Sequence, residues 1–250
     1  MRLLAAAILA TASLSCAAFS SGAQEDDSFS CPDIQAVSVN AGFLDVEISG
    51  HDGVAVSVSS DLPSESFFAF RGYRLLHKVD GSRLKVWLDR DWPLDWPAGG
   101  TLFLQCPRGA GLKIETRSGR IKVEHMESDT CSLRTVSGQI SVRDSRGMLS
   151  AASVSGKVVL DAHQGKVIIK TVSGAIVGHG LDVEEDSSFS TISGDVDIRL
   201  DAPLDTLRFD LRSLSGRIVV GNVRAERGLK MGTDGALVRG HSVSGALIFR

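Results

Sequence analysis

Apolar and polar residues alternate along the second half of the chain in short runs, each broken by the dipeptide Ser-Gly before alternation resumes. The copies read IETRSGRIKV, LRTVSGQISV, AASVSGKVVL, IKTVSGAIVG, FSTISGDVDI, LRSLSGRIVV and GHSVSGALIF. Their paired residues are Ser118-Gly119, Ser137-Gly138, Ser155-Gly156, Ser173-Gly174, Ser193-Gly194, Ser215-Gly216 and Ser244-Gly245. Successive glycines lie 19, 18, 18, 20, 22 and 29 residues apart. Period-two alternation is the strand signal, because successive side chains point to opposite faces. Self-similarity at a near-fixed period marks a repeat architecture. In the second copy the alternation places Leu133, Thr135, Ser137, Ile140 and Val142 inward; in the fifth, Phe189, Thr191, Ser193, Val196 and Ile198. Arg134, Gln139, Ser141, Arg143, Asp195, Asp197 and Arg199 then face outward.

Ser-Gly reads as a corner between two strands, since Gly tolerates positive φ and close backbone approach. The Ser hydroxyl can bond nearby backbone at the bend. Looser turns separate the copies, as in Asp144-Ser145-Arg146-Gly147, Asp161 to Gly165 and Asp201-Ala202-Pro203. Two architectures share this pattern. In a β-solenoid each period is one coil, and equivalent residues stack about 4.8 Å apart. In an antiparallel meander the dipeptide is a hairpin turn, but these strands fall short of the roughly 9–11 residues of an outer-membrane barrel strand. Repeated inward Ser or Thr favours the solenoid, where identical hydroxyls can form a ladder. The expected fold is therefore all-β, a single β-solenoid of seven or more coils of 18–22 residues. The 29-residue step contains a degenerate copy, Gly232 to Val238, and predicts a modified C-terminal coil or hairpin that caps open strand edges.

The ends add a compartment. Arg2, the apolar run Leu3 to Phe19 and Ser21-Gly22-Ala23 have the form of an export signal over residues 1–23. Lipid attachment at Cys16 is the alternative, although Ser13 stands where a lipoprotein signal has Leu. Residues 24–33 read as a linker and 34–250 as the solenoid, irregular over 34–111 and repetitive over 112–250. Within the irregular part, Ser49-Gly50 suggests an atypical early coil. Without Arg2 the chain carries 26 Lys and Arg against 30 Asp and Glu. That balance opposes a general nucleic-acid surface. Three cysteines remain in an oxidising compartment; Cys31 and Cys106, each beside Pro, are paired in this reading, and Cys131 is a buried thiol.

Three features give the chain a likeness to a known family: the alternating segment 43–58 with its Gly turn, the strand end Leu104-Gln105-Cys106-Pro107-Arg108-Gly109, and the serial Ser-Gly copies from Ser118 to Gly245. Across about residues 34–250 the chain resembles exported bacterial proteins named putative adhesins, which carry a domain of unknown function. The resemblance implies a β-solenoid at the cell envelope and supplies no catalytic residues. Cys106 stands where that family more often has an apolar residue, which adds to the case for its pairing with Cys31.

Candidate chemistry is sparse. No G-x-S-x-G elbow accompanies the serines, and seven equivalent serines suit corners better than nucleophiles. His51, His77, His125, His163, His179 and His241 form no H-x-H or H-E-x-x-H pair, so no metal site or cofactor is expected. Asp182-Val183-Glu184-Glu185-Asp186 with Asp195, Asp197 and Asp201 could serve a polysaccharide hydrolase, which needs two acids at a defined separation. A charged turn and a solvated strand face are the plainer reading. Trp87, Trp92 and Trp96 can stack on sugar rings or anchor a partner, or else cover one side of the solenoid. The expectation is a non-enzymatic binding or scaffolding protein of the periplasm or cell surface, without a transmembrane span. Its partners would be envelope proteins or surface glycans. A polysaccharide-active enzyme and an end-to-end structural assembly are the alternatives.

Overall fold

The computed structural model describes residues 24–25, 28–61, 74–89 and 99–250. The first strands are β1 (Gln24–Glu25), β2 (Ser28–Pro32), β3 (Ala36–Asn40), β4 (Asp45–His51), β5 (Ala55–Asp61), β6 (Arg74–Asp80), β7 (Arg83–Asp89) and β8 (Thr101–Pro107). The middle holds β9 (Gly111–Glu115), β10 (Ile121–Glu124), β11 (Glu127–Thr135), β12 (Ile140–Ser153), β13 (Val158–Thr171), β14 (Ile176–Asp182), β15 (Ser187–Ser190) and β16 (Val196–Leu200). The last are β17 (Arg208–Ser213), β18 (Ile218–Val220), β19 (Val223–Ala225), β20 (Gly228–Met231), β21 (Leu237–Ser242) and β22 (Leu247–Phe249).

The pairings build two long faces. One face runs β2-β5-β8-β4-β10-β12-β13-β14-β16-β22-β18-β19. The other runs β1-β6-β7-β3-β9-β11-β12-β13-β15-β21-β17-β20. Call these the first and second sheets. β12 and β13 are long enough to pass from the first sheet into the second around the looser turns. Parallel pairing persists from β7 and β8 to β17 and β18, and antiparallel strands close both ends. This is a β-solenoid. Alternating buried residues such as Ile121, Ile140, Val158, Ile176, Val196, Leu247 and Ile218 form one inward column.

Each corner turns on its glycine. A Cβ on Gly138 would fall on the carbonyl oxygen of Gly119, one on Gly156 on that of Gly138, and so on through Gly174 and Gly194. Positive φ has no part in this, because the seven corner glycines are absent from the left-handed region. Three residues before each glycine, a buried Ser or Thr hydroxyl caps the bend. Thr135 Oγ1 accepts from Gly138 N at 3.0 Å and Ser153 Oγ from Gly156 N at 2.8 Å. The serine of the dipeptide is exposed instead, so the inward placement of Ser137 and Ser193 is corrected. A bend bonded to its own threonine leaves no hydroxyl ladder; what stacks is backbone.

Chain order and stacking order diverge near both ends. Gly245 lies against Gly194, and Gly216 lies against Gly245. The last strands, β21 and β22, therefore insert between the β15–β16 coil and the β17–β18 coil. Phe249 fills the slot, with ring centroids 5.9 Å from Phe189 and 5.7 Å from Phe209. The cap is thus β19 and β20, not the final copy, and Gly232 to Val238 lies on the looser-turn side rather than at a corner. At the other end the β3–β4 coil is flanked on one side by β7 and β8 and on the other by β9 and β10. The irregular segment is therefore part of the same stack. Ser49-Gly50 closes β4 beside the backbone of His125 and is not a corner. The expected linker also changes: β2 pairs with β5 and buries Phe29 and Cys31.

Candidate functional site

The outward residues of four neighbouring strands make a shallow trough on the second sheet. Register sets its rows. Lys85, Ser38, Lys113 and Ser132 line up across β7, β3, β9 and β11. Arg83, Ala36 and Gly111 form the next row, and Trp87, Asn40, Glu115 and Arg134 the row nearest the corners. Ala36, Ser38 and Gly111 are too short to fill the space between the longer side chains. The result is an open cleft of about 550 Å³ lined by Ser38, Arg83, Lys85, Lys113, Thr130 and Ser132. A Cβ on Gly111 would meet Thr130 Oγ1 at 2.7 Å, so glycine keeps this floor open.

The trough is positive. Lys113 Nζ sits 3.2 Å from Glu115 Oε1, whereas Arg83 and Lys85 have no ion pair among the described residues. Lys85 Nζ lies 5.6 Å from the centre of the half-buried Trp87 ring, which holds the ammonium over the aromatic face. Two free cations, a third partly neutralised, and hydroxyls of Ser38, Thr130 and Ser132 suit an anionic, hydroxyl-rich ligand. A second open cleft, of about 670 Å³, lies at the opposite end among Arg217, Val219, Arg224, Ile248 and Arg250. Glu226 lines it as well, and Arg250 is engaged 3.3 Å from Asp197, so its net positive charge is weaker.

Of the sequence candidates, Trp87 borders the trough; Trp92 and Trp96 lie outside the described residues, as does the 1–23 segment with Cys16. Cys31 on β2 and Cys106 on β8 are buried with β5 between them. Two strand spacings exceed the roughly 7 Å Cα reach of a disulfide. Cys106 is a free thiol, so the expected bridge is not made. Burial pushes the thiols of Cys106 and Cys131 up to about 12, which makes them inert.

Most of the candidate acids have structural partners. Asp195 Oδ1 accepts from Ala246 N at 2.8 Å and Asp197 pairs with Arg250, while Gln164 Nε2 donates to Asp182 and Glu184. Among the histidines, His51 ties a turn through Gly53 N, His77 stacks on Phe29 at 3.7 Å and His125 faces Asp144 at 3.7 Å. His163 is buried with Nδ1 2.8 Å from Ser145 Oγ, and burial lowers its pKa from the ordinary value. No cluster of three or more metal-ligating His, Cys, Asp or Glu occurs among the described residues. No described helix is long and apolar enough to cross a membrane.

Two surface features escaped sequence reasoning. The first is the trough, because Arg83, Ser38, Gly111 and Thr130 are scattered over the chain and meet only through parallel register. The second is an exposed aliphatic row at the corners: Val136 45%, Val154 43%, Val172 40%, Ile192 48%, Val243 36% and Leu214 72%. Its signal was present, since each residue directly precedes Ser-Gly.

No curated protein matches the chain. A crystal structure titled a putative cell adhesion protein, from Clostridium sporogenes, is similar over 91% of this chain and 99% of that one, at 11% identity and a TM-score of 0.32. A likeness that slight carries no argument. Residues 108–243 match the family described as Toastrack DUF4097, a domain of unknown function. That match covers more than half of a chain whose stacked coils and Ser-Gly corners have just been described, and the protein belongs to the Toastrack DUF4097 family.

Proposed function

We propose that this protein is a non-enzymatic, exported binding solenoid whose trough on the second sheet holds an acidic glycan. One observation carries the reading: Arg83 and Lys85 stand without ion pairs to any described residue over a floor of Ala36, Ser38 and Gly111. Guanidinium and ammonium groups on a rigid strand scaffold recognise carboxylate or sulfate, and neighbouring hydroxyls match those of a sugar. The ring of Trp87, on the same strand in the row nearest the corners, offers an edge for a sugar face. A non-enzymatic role also suits the binding of Asp195 and Asp197 to structural partners. Calorimetric titration with trigalacturonate tests the idea, with neutral cellotriose as control. Binding should weaken as salt screens the charges. Arg83→Ala combined with Lys85→Ala should reduce affinity by about tenfold or more. Equal affinity for the two sugars, or no loss in the double variant, rejects the reading. For export, mass spectrometry of the secreted protein should find an N-terminus at Gln24 and no lipid on Cys16.

A further inference from the structure

The two long edges of the solenoid carry opposite charge, and only one of them carries the aliphatic row. At the corner edge the row runs Val136, Val154, Val172, Ile192, Val243, Leu214 in stacking order. Adjacent corners are bonded through Ser155 N to Val136 O, Ser173 N to Val154 O, Ile192 N to Val172 O and Val243 N to Ile192 O. Flanking the row are Arg134, Lys157, Lys170 and Arg217, which have no ion pair among the described residues. The carboxylates beside them are engaged, Glu115 with Lys113 and Asp195 with Ala246 N. At the opposite edge, where the looser turns stack, exposed Asp129, Glu184, Asp201, Asp205 and Asp234 likewise have no ion pair. Of the cations there, Arg143, Lys166, Arg208 and Arg239 are tied to Asp161, Glu185 and Asp186, which leaves Arg146 and Arg199 among the described residues. Exposed Met148 and Ala162 give that edge its apolar spots.

We infer that the corner edge of one molecule docks along the turn edge of a second copy, side by side. Charge complementarity selects this occupant. Two corner edges brought together would place cation against cation, whereas corner against turn pairs unneutralised cations with unneutralised carboxylates around an apolar strip. The backbone of both edges repeats once per coil at the strand spacing of about 4.8 Å, so the two edges run at one common spacing. The contact is heterologous, which means it propagates instead of closing. Its product is a raft of parallel solenoids. The inference is independent of the glycan reading; if both hold, a raft presents many troughs on one face and gains avidity.

Analytical ultracentrifugation of the chain over a concentration series tests this. At low salt the average mass should rise with concentration beyond the dimer, and high salt should return it toward the monomer. Lys157→Glu with Lys170→Glu blocks the corner edge, and Glu184→Lys with Asp201→Lys blocks the turn edge. All four positions are exposed, so far-ultraviolet circular dichroism should be unchanged. Each double variant should stay monomeric. Mixed in equal amounts they should associate again beyond the dimer, because the unchanged turn edge of one meets the unchanged corner edge of the other and the two reversed edges are complementary in turn. A monomeric parent protein, variants that associate like the parent, or a mixture that stays monomeric overturns the inference. So does sedimentation with phosphatidylglycerol vesicles without self-association, which would assign the aliphatic row to a lipid surface. The trough variant Arg83→Ala, Lys85→Ala should associate normally, which separates failure here from failure of the glycan reading.

Discussion

The corner edge and the turn edge solve the same problem, reversing the chain within each coil, by different physics. At the corners the backbone φ is ordinary and the coils approach so closely that a Cβ on the glycine would strike the carbonyl of the coil beside it. At the turns the bend uses left-handed residues of which only some are glycine: His125, Asp144 and Ala162 have φ of 57°, 46° and 52°, while Gly147 and Gly165, at 107° and 116°, also leave no room for a Cβ against the coil beside them. Left-handed backbone costs a non-glycine residue about 1–2 kcal/mol, which a surface turn can absorb. A collision with backbone has no such remedy. Glycine is therefore required at every corner, whereas the turn edge requires it only at positions such as Gly147 and Gly165 and elsewhere accepts other residues, the acidic ones among them.

The sharpest way to break the contrast is Gly156→Ala. Its new Cβ falls on the carbonyl of Gly138, so urea denaturation should show a loss above ~4 kcal/mol, or no folded protein. Gly81, with φ of 59° and open space around a Cβ, is the control. Gly81→Ala should cost only the ~1–2 kcal/mol of its conformation. Equal losses at the two sites would remove the steric account of the corners.

Deleting residues 237–250 asks whether the inserted coil is needed at its own end alone. Hydrogen exchange should show β17 to β20 losing protection while β9 to β14 keep theirs, since solenoid stability propagates between neighbours. Uniform loss over the whole chain would show a cooperative unit instead.

Within one corner, Thr135→Val leaves Gly138 N without its acceptor and should cost ~1–3 kcal/mol. Ser137→Ala, at the exposed position, should stay within ~0.5 kcal/mol. Reversed magnitudes would restore the serine as the structural residue.

The smallest effect belongs to the turn edge and depends on pH. Burial lowers the pKa of His163 below its unfolded value near 6.5. Below that unfolded value the unfolded chain binds the proton first, so stability falls as pH drops and levels off beneath the folded pKa. His163→Leu extends the apolar column of Leu181, its partner on β14. The urea midpoint of this variant should fall less than that of the parent between pH 7 and pH 5.

Much of the repetitive half was legible because its local chemistry repeats. Alternation located the strands, and the spacing of Gly119 to Gly194 matched the coil. Ser137 was misplaced because alternation cannot count through a bend: the corner shifts the phase, so the glycine takes the inward position and the serine swings out. The insertion of β21 and β22 was hidden for another reason. Spacing along a chain gives the length of each step, not the slot to which the chain returns. Phe249 between Phe189 and Phe209 is a contact across 60 residues of sequence on one side and 40 on the other. The trough was illegible on the same ground, since Arg83 reaches Gly111 only through β3.

Coiling and its period are legible in residue order, because short alternating strands broken by Ser-Gly at a near-constant step bury their apolar side best by stacking copies of themselves. The order of the coils near each end, the reason for glycine at every corner and the sorting of charge between edges emerge only once the coils are stacked. Those properties depend on which backbone lies one strand spacing away. Parallel stacking makes that neighbour a residue about 18 or more positions distant, so no local window of sequence contains it.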